Sequence, residues 1–170
     1  MGRLAEVGKI ACILCLFSSQ PMAGEPEYQP RLAQTWPANA PLMADAPARV
    51  AELVTRMSDG RLIIKVDAAN KHKAPLEIFD MVKSGQYDMG HSASYYWKGK
   101  DPNTQYFTTM PFGMIAPEQI AWFHHGGGRE LMEKVYAPYG VLSFPGGNSG
   151  NQMGGWFRKE IKSVEDLQGL

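Results

Sequence analysis

Apolar positions recur along this chain with two different periods, separated by polar punctuation. Val50, Leu53, Val54 and Met57 stand at i, i+3, i+4 and i+7, opposite Arg49, Glu52 and Arg56. That spacing predicts a helix with one stripe facing a core. Asp45 suits its N-cap, Pro47 sits in the first turn where a missing N–H is harmless, and Asp59-Gly60 ends it. Before this helix, Arg31 to Trp36 reads as a short extended strand. After it, Leu62 to Val66 (LIIKV) is continuous, apolar and β-branched, which predicts a strand buried on both faces. Ala74-Pro75 opens a second helix whose apolar side is Leu76, Ile78, Phe79, Met81 and Val82, with Gly85 as its stop. Tyr87 to Met89 begins a third strand. Strand, helix, strand, helix, strand at these lengths predicts an α/β unit with largely parallel pairing.

The second half continues in the same manner. Ala116-Pro117 begins a helix with Ile120 and Phe123 on one side. Gly126 to Gly128 interrupts it, and Arg129 to Tyr136 resumes with Leu131, Met132, Val135 and Tyr136 apolar. Tyr139-Gly140 closes that helix, and Val141 to Phe144 reads as a short strand. Lys162 to Gly169 reads as a helical turn begun by Ser163, with Glu165 and Asp166 where the helix dipole favours acids.

Two stretches depart from simple packing patterns. Gly90 to Trp97 (GHSASYYW) follows the third predicted strand, and ligands in open α/β sheets bind beyond the carboxyl ends of strands. In extended chain, neighbouring side chains point to opposite sides, so Tyr95, Tyr96 and Trp97 cannot all be core. At least one of them should face a cleft. Pro145 to Arg158 (PGGNSGNQMGGWFR) is dense in glycine and carries Asn148, Asn151, Gln152 and Trp156. Amides donate and accept hydrogen bonds at once, and an indole walls a pocket while still donating. Such a loop could hold a small polar ligand; a plain polar surface loop has the same composition.

The runs NSGNQMGGWFRKEI and VEDLQGL, with SASYYWKGKDP and PFGM before them, resemble the periplasmic solute receptors of tripartite ATP-independent periplasmic (TRAP) transporters. Within that family the resemblance is to the branch binding 2-oxo acids, lactate and related organic acids. It extends from about Trp36 to Leu170. It implies an α/β, periplasmic-binding-protein-like (type II) fold of two lobes closing around one acid. Residues 24–140 would form the first lobe, and residues 141–170 the hinge strand and the start of the second. The expected contacts are Tyr95, Tyr96 and Gln152, then Asn148, Asn151 and Trp156. Family members run on past DLQGL, and the arginine that anchors the carboxylate follows that segment. The metal ligands of some relatives also lie farther along. The sequence therefore reads as the N-terminal part of a longer protein, with no cofactor in this part. The resemblance leaves room for a sodium or calcium ion at the ligand site, and for a homodimer. Its implied partners are the organic acid and the small and large integral membrane subunits of an ion-gradient-driven transporter.

Charge narrows the other classes. Lys+Arg number 17 against 17 Asp+Glu, and nucleic-acid binding usually demands a basic surface. Residues 1–23 read as a secretory signal peptide, with Arg3 and Lys9 before the apolar run Ile10 to Phe17 and a cleavage point near Ala23. The run is far shorter than the ~20 residues that span a bilayer. Cys12 and Cys15 both fall inside it, so the exported protein would carry no disulfide and no thiolate, and their CxxC spacing says little about redox chemistry.

Catalytic constellations are hard to find. Gly147-Asn148-Ser149-Gly150-Asn151 misses the G-x-S-x-G elbow at its last position. Neither glycine cluster carries the lysine of a phosphate loop. His72, His91, His124 and His125 have no ligand spacing, although His91 lies near the expected cleft mouth. Asp80, Asp88, Asp101, Glu130 and Glu133 read as ordinary solvated acids, and Arg158 as a surface charge. Binding without chemistry is the better reading. An enzyme acting on a small carboxylate on a similar scaffold, or a non-functional shortened product, are the alternatives.

Overall fold

The computed structural model describes residues 26–169; the expected signal peptide, with Cys12 and Cys15, lies outside them. Three parallel strands make one sheet in the order β2-β1-β3, from β1 (Arg31–Gln34), β2 (Lys65–Asp67) and β3 (Met89–His91). Leu32 pairs with Val66 on one side and with Met89 on the other, which puts β1 at the centre. Parallel neighbours need crossovers, and helices supply them. Between β1 and β2 runs α1 (Asp45–Met57); between β2 and β3 run α2 (Ala69–His72) and α3 (Ile78–Lys83). Helices α4 (Ala116–His125) and α5 (Gly128–Tyr136) follow. The expected α/β unit with parallel pairing is therefore present.

Two apolar clusters meet at α3. Ile78 and Met81 pack with Ala33 and Tyr87 under the sheet. Phe79 packs with Phe107, Phe123, Met132 and Tyr136, which joins α4 and α5 to the rest. Trp97 touches both clusters. The break between α4 and α5 follows from backbone freedom. Gly127 sits at φ +83°, and a Cβ on Gly128 would fall 2.6 Å from the Trp122 ring. Only glycine fits both demands without strain.

Several expectations shift. Asp45 is the first residue of α1 rather than its cap; its carboxylate accepts a hydrogen bond from the Leu42 N–H at 3.1 Å. The strand expected at Leu62 to Val66 starts three residues later, because Leu62 makes only a single bridge, to Tyr28. The second helix begins at Ile78, and Leu76 is exposed before it. The unexpected α2 ends on Lys73 in a left-handed conformation. Val141 to Phe144 forms no strand, since no neighbour offers it a ladder of hydrogen bonds. The stripe on α1 exists, but Val50, Leu53 and Met57 are all exposed, and no described element lies over them.

Arg31 staples β1 to β2 and to the residues that lead into β3. Its guanidinium donates to Asp67 at 2.8 Å and to the Tyr87 hydroxyl at 2.7 Å, while Tyr87 donates to Asp67 at 2.9 Å. The Arg31 side chain holds the Asp67 carboxyl below its ordinary value, against partial burial; the Tyr87 hydroxyl acts in the same direction. The backbone N–H of Arg31 donates to Asp88 at 2.8 Å, which fixes the entry to β3.

Candidate functional site

The carboxyl ends of β1 and β3 lie side by side, because Gln34 and His91 are register partners. Partners in a parallel ladder point to the same face, and successive residues alternate. Gln34 and His91 therefore share the face opposite Ala33. Gln34 is almost fully buried, and its Oε1 has no hydrogen-bond partner. His91 Nδ1 is buried without a partner as well. Just beyond, the Thr35 hydroxyl donates to Ser92 Oγ at 2.6 Å, and the Thr35 N–H donates to the His91 carbonyl at 3.0 Å. Unmet buried polar atoms are uncommon in folded proteins, so their clustering at one strand edge singles that edge out.

Next comes the aromatic run. Ser94 to Trp97 forms a short 3₁₀ helix, not the extended chain expected. The outcome for the side chains is nevertheless similar. Tyr95 and Tyr96 face outward, 38% and 36% exposed, while Trp97 turns inward onto Phe79 with ring centroids 5.1 Å apart. A single turn cannot present three consecutive side chains to one side, so the most buried ring becomes its anchor. The far end is tied down by Lys100, which reaches Asp80 on α3 at 2.6 Å. Asp101 then caps the next turn by accepting from the Asn103 N–H at 2.8 Å, and it also accepts from the Tyr139 hydroxyl at 3.2 Å.

The two exposed tyrosines meet edge to face at 4.5 Å, and Tyr95 Oη donates to Tyr96 Oη at 3.4 Å. That bond and partial burial push the Tyr95 hydroxyl up to about 12. It is therefore a neutral O–H at physiological pH. Tyr96 accepts in this bond, so its own proton is uncommitted, and the contact is longer than the usual 2.7–2.8 Å of hydroxyl pairs, so the Tyr95 proton is only weakly held. Together the two hydroxyls can present donors to a carboxylate or carbonyl oxygen.

The glycine-rich stretch is placed differently. Asn148, Asn151, Gln152 and Trp156 are all exposed and lie in irregular chain. Asn148 Oδ1 accepts from the Gly150 N–H at 2.7 Å, and Gln152 Nε2 donates to Ser149 Oγ at 2.9 Å. These bonds shape the stretch from within. Among the described residues none of them reaches Tyr95 or Tyr96, so the structure brings the tyrosines together but not the amides to them. Gln34, Thr35 and Ser92 were missed in the sequence. Gln34 ends β1, and Thr35 and Ser92 stand one residue past the ends of β1 and β3, in the region where ligands to such sheets bind.

Among the described residues no three His, Cys, Asp or Glu side chains converge as a metal cage, and Na⁺ or Ca²⁺ wants several oxygen ligands. A shallow hollow of about 350 Å³ opens elsewhere, between Tyr106, Met110, Met114 and Trp122 beside the PFGM turn. It is mostly apolar and includes none of the candidate residues.

Comparison with known proteins bears on the same region. Residues 32–170 match the protein family described as bacterial extracellular solute-binding protein, family 7 (DctP). A monocarboxylate 2-oxoacid-binding periplasmic protein of Nostoc sp. is 42% identical over 153 residues, 90% of this chain and 42% of that protein. A TRAP periplasmic solute binding protein of Pseudoalteromonas atlantica T6c, solved with sodium and pyruvate, is 68% identical with a TM-score of 0.80; the match covers 84% of this chain and 44% of that one. Its counterpart from Colwellia psychrerythraea, solved with calcium and pyruvate, is 66% identical with a TM-score of 0.81, over the same shares of the two chains. The chain thus spans less than half the length of each of these relatives.

Proposed function

The chain belongs to the bacterial extracellular solute-binding proteins of family 7, and from that premise we propose that it is the receptor part of a TRAP transporter. It captures a small 2-oxo or hydroxy acid in the periplasm and delivers it to the small and large membrane subunits. Two lobes close over the acid, and the ion gradient across the membrane partners drives transport. The present residues supply most of the first lobe, 24–140, and residues 141–170 lead into the second. Pyruvate is the reference ligand, because two relatives above 65% identity were solved with it bound.

The observation that carries this reading is the tyrosine pair. Tyr95 and Tyr96 stand exposed just past the carboxyl end of β3, on a turn anchored from both ends. Two fixed neutral donors suit a carboxylate that is bound and released unchanged, since they offer hydrogen bonds without a nucleophile or base. Gln152, Asn151, Asn148 and Trp156 would meet the acid from the opposite side on closure. The six candidate contacts are all neutral groups, and a sodium or calcium ion would join them at the ligand site, as in the relatives' structures.

Calorimetry tests the reading directly. Native protein titrated with pyruvate, 2-oxobutyrate and lactate, with and without sodium or calcium, should give saturable binding to at least one acid, and the acid should be recovered unaltered. Replacing both tyrosines by phenylalanine should weaken binding about 10- to 100-fold, at roughly 1 kcal/mol per neutral hydrogen bond and more where a buried acceptor is left bare. Heat without saturation, or conversion of the acid, would remove the receptor role.

A further inference from the structure

Between α5 and the glycine-rich stretch, the chain crosses the carboxyl edge of the sheet, and its anchor points are few. Val141 packs against the aromatic cluster. The Arg129 guanidinium lies over the Phe144 ring at 5.9 Å. Gly146 then meets the imidazole of His91: a Cβ built on Gly146 would stand 3.1 Å from His91 Cδ2 and 3.3 Å from Nε2. Beyond it, Gly147 reaches the start of α1, 3.9 Å from Ala46 Cβ by the same construction.

The His91 ring has little room to retreat. It lies against Trp36 with ring centroids 4.9 Å apart. Its backbone is fixed in β3, and its carbonyl accepts from the Thr35 N–H at 3.0 Å. Beside it on the same face sits the buried Gln34, whose Oε1 lacks a partner, as does His91 Nδ1. A structural ring in a well-filled core would be expected to have its polar atoms met. Here the ring is wedged on one side and bears against passing backbone on the other.

We propose that His91 is the seat on which the crossing segment 141–147 bears, and that residue 146 is glycine so that the backbone can lie on the imidazole. The pair is a positioning element: it sets the height and direction at which the chain leaves the first lobe, and hence where Asn148, Asn151 and Gln152 stand relative to Tyr95 and Tyr96. This rests on the receptor role proposed above. His91 acts through the segment it supports and does not itself touch the acid. Gly146→Ala would press a methyl group into the ring, and contacts near 3 Å must be relieved by movement of the segment or of the ring. His91→Ala would remove the seat and let the segment settle lower.

The test is a double-mutant cycle in the full native chain, read two ways. Pyruvate affinity is measured for the unaltered protein, Gly146→Ala, His91→Ala and the double variant, with urea midpoints recorded for each. Gly146→Ala should weaken binding about tenfold, and the double variant should bind no worse than His91→Ala alone, because the clash needs both partners; coupling of this size is usual for residues in contact. In parallel, ¹⁵N-histidine spectra are taken without ligand. Gly146→Ala should move the ring resonances of His91 and leave those of His72 in place, which a general loss of stability would not do. Additive losses in a protein that binds pyruvate, or an unmoved His91 signal in any case, would overturn the proposal. If the unaltered protein binds no acid, the receptor reading falls instead, and the ring signal alone still decides the seat.

Discussion

Tyr95 and Tyr96 stand on a turn held at both ends, whereas Gln152 and its amide neighbours stand on a stretch whose recorded side-chain bonds are all local. The tyrosine turn inherits its position from the core. Trp97 is wedged against Phe79, Lys100 is bonded to Asp80, and the next turn is capped by Asp101. The glycine-rich stretch has Asn148 bonded to Gly150 and Gln152 bonded to Ser149, with Trp156 almost fully solvated. One region is therefore preorganised and the other is adjustable. In a receptor that closes on its ligand this division is useful. Fixed donors hold a first pose at little ordering cost, and movable amides complete the site when the second side arrives.

The comparison breaks most visibly at Phe79. Its ring touches Trp97, Tyr136 and Tyr139, with centroids at 5.1, 6.1 and 5.1 Å, and it is 4% exposed. Phe79→Ala should lower unfolding stability by about 3–5 kcal/mol, the usual range for a large aromatic removed from a packed core. It should also loosen the tyrosine turn, since Trp97 loses its backing. A urea melt measures the first effect and proteolysis between residues 94 and 104 the second. Unchanged proteolysis of that turn in a destabilised protein would mean that the turn is not carried by the core.

This division also explains how far the amino-acid pattern could be read. Helices α4 and α5, their glycine break and the parallel pairing of the strands were legible, because each has a local cause: a 3.6-residue period, a positive φ at Gly127, or crossovers of sufficient length. That Tyr95, Tyr96 and Trp97 are not all core was legible as well, although through alternation along an extended chain that is in fact a helical turn. What could not be read depended on neighbours. Val141 to Phe144 has strand composition but no strand beside it, and the apolar stripe of α1 has no described element over it. Gln34 passed unnoticed because its environment arises from pairing with His91, 57 positions away in sequence. Conversely, the amides of the glycine stretch were picked out by composition, and composition carries no information about what they reach.

A smaller effect sharpens the comparison within the first lobe. The Arg31–Asp67–Tyr87 staple joins β1, β2 and the residues that lead into β3, and the Asp67 carboxyl titrates lower in the folded protein than in the unfolded chain. The sign follows by linkage. A carboxyl with a depressed folded value stabilises above its unfolded value, near pH 4, and that contribution fades as pH falls through the lower folded value. Asp67→Asn should therefore lower the urea midpoint at pH 7 and flatten its fall below about pH 4. The Arg31 side chain is 49% exposed, so salt screens the pair and the loss should stay well below that of Phe79→Ala. Parallel acid titrations of the two proteins that superimpose in slope would show that the staple does not carry strand pairing.

The smallest effect on stability, and the sharpest on function, belongs to the adjustable side. Gln152 is exposed, and its recorded partner is Ser149, three residues away. Gln152→Ala should therefore leave the urea midpoint unchanged, within about 0.5 kcal/mol, as for most surface positions. If the stretch closes over the acid, the same change removes a donor and acceptor from a buried interface and should weaken pyruvate binding about 5- to 30-fold, the equivalent of roughly 1–2 kcal/mol. Tyr96→Phe makes the matching change on the fixed side. The two regions then separate by rate. Loss of a preorganised donor raises dissociation alone, whereas loss of a residue that must first move into place also slows the closing step seen in stopped-flow fluorescence. Equal closing rates in Gln152→Ala and the unaltered protein, with only dissociation altered, would mean that the amides are as preorganised as the tyrosines. The contrast between the two regions would then hold for the unliganded chain only.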